Sequence, residues 1–335
     1  MTSFAKKHQI LSLLSDGEFY SGQALGELLG VTRSAVGKHM QQLEHLGLDI
    51  YSVTGKGYKL ASPLTLLDAE KILPESNSNG TKSANATASL EVHHVINSTN
   101  DHLLSQVRAG ETLPNGYTVV AECQTAGRGR RGRQWVSPFG SHIYFSYLWH
   151  LDGIGQAMGL SVAVGLALRQ TIAPLIDAPV TLKWPNDVYV DGKKIAGILV
   201  ELEGQADGPC AVVIGIGINV NMPQAQGETI DQPWTDISRE CDEANIDRNQ
   251  LIGRLMLNLA NQMQQFTQSG LAPIVASWNE HDHFYQKPVK LLMGNHQIEG
   301  IGQGIDAQGG IVLKDLKTQI NKAYYGGEIS VRGNQ

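Results

Sequence analysis

Residues 127–135 read Gly-Arg-Gly-Arg-Arg-Gly-Arg-Gln-Trp, four arginines threaded through three glycines directly after a strand-like run. Glycine lets a backbone turn sharply and bring its N–H groups against an anion, and guanidinium groups grip phosphate or carboxylate oxygens two at a time. A second group, Lys183-Trp184-Pro185-Asn186-Asp187, sets a cation, an aromatic ring, an amide and a carboxylate at a strand end. These are the parts of a nucleotide site with Mg²⁺: Lys183 for phosphate, Asp187 for the metal, Asn186 for a base or ribose. Together the two groups point to phosphoryl or nucleotidyl chemistry. The bland alternative for the arginines is a solvated basic patch. Regular glycines, flanking apolar strands and Trp135, whose ring can stack on a base or cover a pocket, favour a site.

The spacing of Gly127, Gly129 and Gly132 also fits a dinucleotide fingerprint, which requires a helix to open at the glycines. Here Pro138 and Gly140 follow, then an alternating run over 142–148, so the segment is a loop between strands and a nicotinamide enzyme is disfavoured. Asp191-Gly192 is a hairpin signal. A two-residue turn there sets Val190 opposite Lys193, Tyr189 opposite Lys194 and Asp187 opposite Ala196, with Asp187 and Lys194 on one face. A surface ion pair is the commonplace reading of such a pair. Gly215-Ile216-Gly217-Ile218-Asn219 ends another strand, where glycines mark either a bulge or close approach of a ligand. Asn97-Ser98-Thr99-Asn100 lies between strand and helix, where Ser98 or Thr99 is a helix cap or the group reads a polar ligand head.

The elements that must position these residues fall into three blocks. Residues 1–62 predict a helix-turn-helix with a hairpin wing: Ser21 and Thr32 cap helices, Gly30 ends one, and Lys56 tips the wing. Six Lys/Arg face five Asp/Glu there, so a protein-interaction module is the alternative to DNA. Helix and wing would offer Ser21, Gly22, Thr32, Arg33, Ser34, Lys38, His39 and Lys56 to DNA, with affinity resting on dimerisation. Residues 63–89 predict a connector and a small, polar, flexible linker. Residues 90–283 predict an α+β domain, with strands over 90–96, 117–123, 142–148, 180–183, 188–190, 194–202 and 212–218. Helices are predicted over 100–108, 156–176, 250–269 and 273–281. Residues 284–335 break into short strands over 288–292, 297–305, 311–314, 318–323 and 328–331, the pattern of a small β-barrel.

The chain's 335 residues exceed one ordinary core, and 26 Lys+Arg against 32 Asp+Glu give no general attraction to nucleic acid. Three scattered cysteines indicate neither a disulfide framework nor a zinc site. No run approaches a membrane span and the first residues lack a signal-peptide stretch, so the expected location is cytoplasmic, with no membrane partner.

Over essentially its whole length the chain resembles the bacterial bifunctional biotin–protein ligases and biotin operon repressors. The resemblance rests on the winged helix, Ser98-Thr99-Asn100, the glycine-arginine loop, Lys-Trp-Pro-Asn-Asp, residues 194–199, Gly217-Ile218-Asn219 and a C-terminal Gly326-Gly327-Glu328-Ile329-Ser330. It implies a winged helix-turn-helix, a central α+β ligase domain with a mixed sheet and an SH3-like C-terminal β-barrel. It further implies ATP-dependent formation of biotinyl-5′-adenylate with Mg²⁺, transfer of biotin to a lysine of the carrier protein of acetyl-CoA carboxylase, and repression of biotin synthesis genes by an adenylate-bound homodimer on operator DNA. Carried over, Ser98, Thr99, Asn100 and Gln124 would bind the ureido end of biotin. Gly127, Arg128, Gly129 and Arg130 would close over biotin and the phosphate. Lys194 would contact the biotin carboxyl and α-phosphate, Trp135 and Asn219 the adenine, and Asp187 the Mg²⁺; Arg131, Lys183 and Asn186 complete the ATP site. Lys194, Arg128 and Lys183 are the expected catalytic cations. A lipoate or octanoate ligase would share the lysine but lack the arginine loop. A transcription factor that senses biotinyl-adenylate without catalysis is the alternative from another class, and the presence of Lys183, Asp187 and Lys194 together argues against it.

Overall fold

The computed structural model describes residues 3–73, 89–204, 208–241, 246–293, 296–326 and 329–333. The linker expected within 74–88 and the Gly327-Glu328 step of the C-terminal motif lie outside the described residues.

Helices α1 (Ser3–Leu14), α2 (Gly22–Leu29) and α3 (Arg33–His45) and the antiparallel hairpin β1 (Ile50–Val53) and β2 (Gly57–Leu60) form a winged helix. Local chemistry sets the boundaries. Ser21 and Thr32 accept from the Ala24 and Ala35 N–H groups at 3.0 and 3.2 Å, satisfying donors left open at a helix start. Gly30 closes α2 at a φ of 62°. Leu25, Val36, Met40 and Leu43 recur at helical spacing and bury against Ile10, Leu11 and Leu14.

After the short α4 (Ala69–Ile72), the central domain runs through β3 (Leu90–His93), α5 (Thr99–Arg108), β4 (Thr118–Ala121), β5 (His142–Leu151), α6 (Leu160–Ile172), β6 (Val180–Lys183), β7 (Asp187–Val190), β8 (Lys193–Gly204) and β9 (Cys210–Asn219). It continues with α7 (Gln224–Gly227), α8 (Ile237–Glu240), α9 (Arg248–Ser269) and α10 (Val275–Glu280). The seven strands lie in the order β3-β4-β5-β9-β8-β7-β6. Only β3 and β4 pair in parallel, with α5 as their crossover, so the sheet is mixed. Alternation assigns the faces: Ile143, Phe145, Ile214 and Ile216 join the large core under α6 and α9, whereas Leu148, Ala211 and Val213 meet Leu103 and Leu104 of α5.

Two expectations for the middle of this domain need correction. The helix predicted over 156–176 is broken: Gly159 sits at a φ of 76°, outside helical backbone, so α6 starts only after it, and a Cβ there would fall 2.0 Å from Leu271, which leaves room for glycine alone. The hairpin begins as the turn dictates, Val190 opposite Lys193 and Tyr189 opposite Lys194, but then shifts by one, so that Asp187 pairs with Gly197 rather than Ala196. This bulge re-aims Lys194, whose N–H and carbonyl turn away to pair with Pro233 and Thr235.

The C-terminal strands β10 (Pro288–Met293), β11 (His296–Ile305), β12 (Ile311–Asp315), β13 (Asn321–Tyr324) and β14 (Ile329–Gly333) form one antiparallel sheet in the order β13-β12-β11-β10-β14. The strand expected over 318–323 starts later because Asp315 draws the Lys317 and Thr318 N–H groups into a turn, with Gln319 at a φ of 60°.

The winged helix is stapled directly to the central domain. Glu122, fully buried, accepts from the Leu67 N–H at 2.6 Å and from Arg248 at 2.7 Å; Arg248 also donates to the Thr65 carbonyl at 2.7 Å. Asn249 holds the Leu66 carbonyl and the Asp68 N–H. Phe139 and Cys123 complete the winged-helix core. The connector over residues 65–68 is thus docked on the central domain through buried side chains.

His142 is fully buried beside this staple, its Nδ1 accepting from the Val220 N–H at 3.0 Å, and burial holds its imidazole down to about 3 against 6.5. Below pH 6.5 an unfolded chain takes up a proton here that the folded chain refuses. Stability is therefore expected to be intact above 6.5 and to fall by about 1.4 kcal/mol per pH unit as pH drops toward 3. Urea unfolding from pH 8 to 4 checks this; a slope unchanged in His142→Asn would place the titration elsewhere.

Candidate functional site

The floor of the central cavity is built by Gly197–Leu199 of β8 and Gly215–Gly217 of β9, whose pairing runs without a bulge. The strand glycines are there for close approach. A Cβ on Gly215 would lie 2.4 Å from Asn100 Oδ1, one on Gly217 2.3 Å from the Trp135 ring, and one on Gly197 3.0 Å from Lys194 Nζ. An amide, an indole and an ammonium group are thus laid flat against the sheet. The cavity is lined at one end by Ser98, Thr99, Asn100 and Gln124, at the other by Lys194 and Asn186, and covered by Arg128, Gly129, Arg130 and Trp135.

Its polar end is prearranged. Ser98 caps α5 by accepting from the Asp101 N–H at 3.4 Å, which fixes Thr99 and Asn100 in the first turn. Thr99 donates through both N–H and hydroxyl to Gln124 Oε1, and Ser146, buried on β5, lies 2.8 Å from Thr99 Oγ1 and 2.5 Å from Asn100 Oδ1. Asn100 donates to Glu201 at 2.8 Å. Neutral donors and acceptors crowded in one corner suit a cyclic urea or amide.

The other end is cationic. Lys194 Nζ lies 2.7 Å from Asp187 Oδ1 and 5.3 Å from the centre of the Trp135 ring. Arg130 donates to Asn186 Oδ1 at 2.6 Å. Beyond them opens a second hollow, lined by Arg130, Arg131, Arg133, Lys183, Lys194 and Arg332, with Asp187 the only carboxylate among the described lining residues. Lys183 donates to the Tyr189 hydroxyl at 2.8 Å and stands 4.5 Å over that ring; burial brings its ammonium down to about 8. Six cations around one acid can hold only something strongly anionic.

Several expected residues behave differently. Arg128 does not reach into the cavity as a free cation: it bridges Asp101 at 2.6 Å and Glu201 at 2.7 Å, which neutralise it until an anion competes. Asn219, expected at the adenine, is buried with its amide donating to the Thr235 carbonyl at 3.0 Å, so it braces β9 and stays out of the cavity. Gly127 shapes the loop from outside the lining, since a Cβ there would fall 2.6 Å from Ser137 Oγ and from the Trp135 carbonyl. Sequence motifs do not single out Asp101, Ser146, Glu201, Tyr189 or Arg332, which come from five different elements. Strand alternation alone would have set Glu201 beside the site, whereas Arg332 has no local signal.

In the winged helix, Ser21, Thr32, Arg33, Ser34, Lys38 and Lys56 are exposed, and Lys56 and Lys59 flank the Phe19 ring at 5.6 and 5.7 Å. Gly22 is buried against Arg33 and Tyr58. His39 is half-buried and near Lys6 and Lys7 of α1, turned from the exposed row because its place on α3 borders the core positions Val36, Met40 and Leu43.

A winged helix fixed to an α+β domain with a paired amide and cation cavity, followed by a small β-domain, defines a DNA-binding protein ligase. Residues 92–219 match the biotin/lipoate A/B protein ligase family, 6–59 an HTH domain and 286–332 the biotin protein ligase C-terminal domain. The chain is 43% identical to the bifunctional ligase/repressor BirA of Salmonella typhimurium, across 96% of each chain. It is 35% identical to the biotin–[acetyl-CoA-carboxylase] ligase of Mycobacterium tuberculosis over 67% of this chain and 82% of that protein. Among solved structures, the biotin protein ligase from Aquifex aeolicus in complex with biotin and ATP superposes at a TM-score of 0.62 and 26% identity, covering 73% of this chain and 99% of that one. The chain belongs to the bifunctional biotin ligase/repressor family.

Proposed function

We propose that the chain joins biotin to ATP, forming biotinyl-5′-AMP and pyrophosphate, then passes the biotinyl group to a lysine amine of a carboxylase carrier protein with release of AMP. When carrier is scarce, the adenylate-bound chain pairs with a second copy and represses biotin synthesis genes from their operator. The observation that carries this reading is a pair of adjoining hollows, one with a neutral, hydrogen-bonding end and one with six cations, which share Arg130, Trp135, Asn186 and Lys194 in their walls. Ser98, Thr99, Asn100 and Gln124 read the ureido ring, and the carboxylate points to Lys194.

Biotin carboxylate and ATP repel each other. Lys194, held oriented by Asp187, stabilises charge as it builds on the α-phosphate, while Lys183, Arg130, Arg131 and Arg332 take the departing pyrophosphate. Trp135, flat on Gly217, offers a stacking face to adenine. Mg²⁺ fits this site as an ion carried in by phosphate oxygens with Asp187 as its one protein carboxylate, and it would offset charge on the polyphosphate. Arriving phosphate competes with Asp101 and Glu201 for Arg128, so the loop closes over the adenylate and keeps water from it. The same closure shapes the surface on which two copies meet.

The decisive experiment is incubation with ATP, Mg²⁺, biotin and a carrier domain, followed by intact mass, with a biotin-sized gain expected on one carrier lysine. No gain, with DNA binding still biotin-dependent, would favour a sensor without catalysis. Arg128→Ala is expected to weaken retention of the adenylate by about tenfold or more, the worth of one charge-assisted hydrogen bond, so that free biotinyl-AMP appears in the filtrate of an ultrafiltered reaction. Undiminished retention would assign the loop to the partner surface alone.

A further inference from the structure

A second cluster of chemistry-bearing side chains lies outside the ligase cavity, where β3 meets α5. Glu91 and His93 stand two apart on β3 and so share a face; His102 comes from the first turns of α5. His93 Nε2 and His102 Nε2 each lie 2.8 Å from the same oxygen, Glu91 Oε2. The two imidazole rings meet edge to face with centroids 4.7 Å apart, and the three donor atoms all lie within 4.8 Å of one another. The other carboxylate oxygen is already engaged: Gln106 donates to Glu91 Oε1 at 2.9 Å, and the Tyr117 hydroxyl donates there too.

We propose that Glu91, His93 and His102 hold one divalent transition-metal ion of the zinc class, which ties the edge strand β3 to α5. Two imidazoles and a carboxylate are a three-ligand zinc set, leaving a fourth position for water, and the side chains are 27–31% exposed, so solvent and ion can enter. Two imidazole nitrogens and a carboxylate oxygen converge on one point, and the same contacts can be made by two N–H groups donating to Glu91 Oε2 or by one cation that takes all three lone pairs. Donors on a tetrahedral centre with bonds of about 2.0–2.1 Å sit roughly 3.3 Å apart, so each imidazole, now 2.8 Å from Glu91 Oε2, would move out from it by about half an ångström. Tyr117 and Gln106 supply the outer partners that orient a ligating carboxylate. The site bears on the ligase because His102 follows Thr99, Asn100 and Asp101 in the same helix, so a bound ion anchors the helix that carries the polar end of the cavity.

The test uses the full chain, stripped with a chelator and dialysed, then titrated with Co²⁺ and, in competition with a chromophoric chelator, with Zn²⁺. One equivalent of Co²⁺ with the visible absorption of a four-coordinate centre is expected. His93→Ala and His102→Ala should each weaken Zn²⁺ affinity more than a hundredfold, beyond the 10–100-fold that loss of an outer partner costs. His102→Gln, which keeps a hydrogen bond to Glu91, should do the same in a chain whose unfolding midpoint without metal is preserved. His8→Ala, at the separate His8–His94 contact, should leave binding intact. Less than half an equivalent of Co²⁺ on the intact chain, or an unchanged spectrum and affinity in His102→Gln, would overturn the site and leave Glu91 as a hydrogen-bonded carboxylate.

Discussion

Lys194→Ala is expected to slow biotinyl-adenylate formation by about 10²–10³, the usual cost of removing one preorganised group from developing charge in an enclosed site. Two effects add. The ammonium that lies where cavity and cationic hollow join is lost, and Asp187, 18% exposed and paired to it at 2.7 Å, is left as a bare carboxylate facing the incoming phosphates. Arginine should not rescue the rate, because Lys194 Nζ already sits 3.0 Å from where a Cβ on Gly197 would be, and a planar guanidinium has no room against that backbone. Pyrophosphate exchange reports the first step without the carrier. The fall should appear in kcat, with biotin affinity in the absence of ATP changed only a few-fold, since Thr99, Asn100 and Gln124 are untouched. A loss below fivefold, or one confined to biotin affinity, would remove Lys194 from the chemistry.

Arg248→Ala is expected to destabilise the chain by about 3–5 kcal/mol, because it strands the Glu122 carboxylate in a site with no solvent. Glu122 has no exposed side-chain surface and Arg248 has 4%. With the guanidinium gone, Glu122 keeps the Leu67 N–H, while the Thr65 and His142 carbonyls lose their donor. The connector should then lift, and limited proteolysis between residues 62 and 73 should accelerate along with a lower urea midpoint. Glu122→Leu with Arg248→Met should recover most of the stability, since removing both charges is far cheaper than removing one. That double variant also separates the joint's two roles: a rigid staple is needed if ligand in the cavity is to alter how the winged helix meets DNA. A single-variant loss under 1 kcal/mol would mean that water reaches Glu122 and that the staple is not what docks the winged helix.

Much of this was readable from local pattern. Helix caps at Ser21, Thr32 and Ser98 and the Asp191-Gly192 turn are decided by groups a few residues apart, and each lies where its local chemistry places it. Apolar alternation along residues 142–151 and 210–219 marks the central strands for the same reason. Local pattern missed what depends on a distant neighbour. Gly159 leaves helical backbone where Leu271 packs against it, and the bulge that moves Asp187 opposite Gly197 accompanies residues 233–235, which pair with the backbone of Lys194.

By itself the order of residues determined the kinds of chemistry available: an anion-holding loop, a lysine and a carboxylate at a strand end, a cluster of small amides, a capped pair of helices beside a wing. Those depend on side-chain type and on spacings of two to four residues, which backbone geometry converts directly into shared faces and capped ends. Only the tertiary structure decided which groups meet. It set Arg128 between Asp101 and Glu201, withdrew Asn219 into the core, brought Arg332 from the last strand to Lys183, and locked Glu122 to Arg248 across 126 residues of chain. The reason is that an ion pair or a shared cavity depends on through-space distance, and the packing of the sheet against its helices, rather than any neighbouring residue, sets that distance.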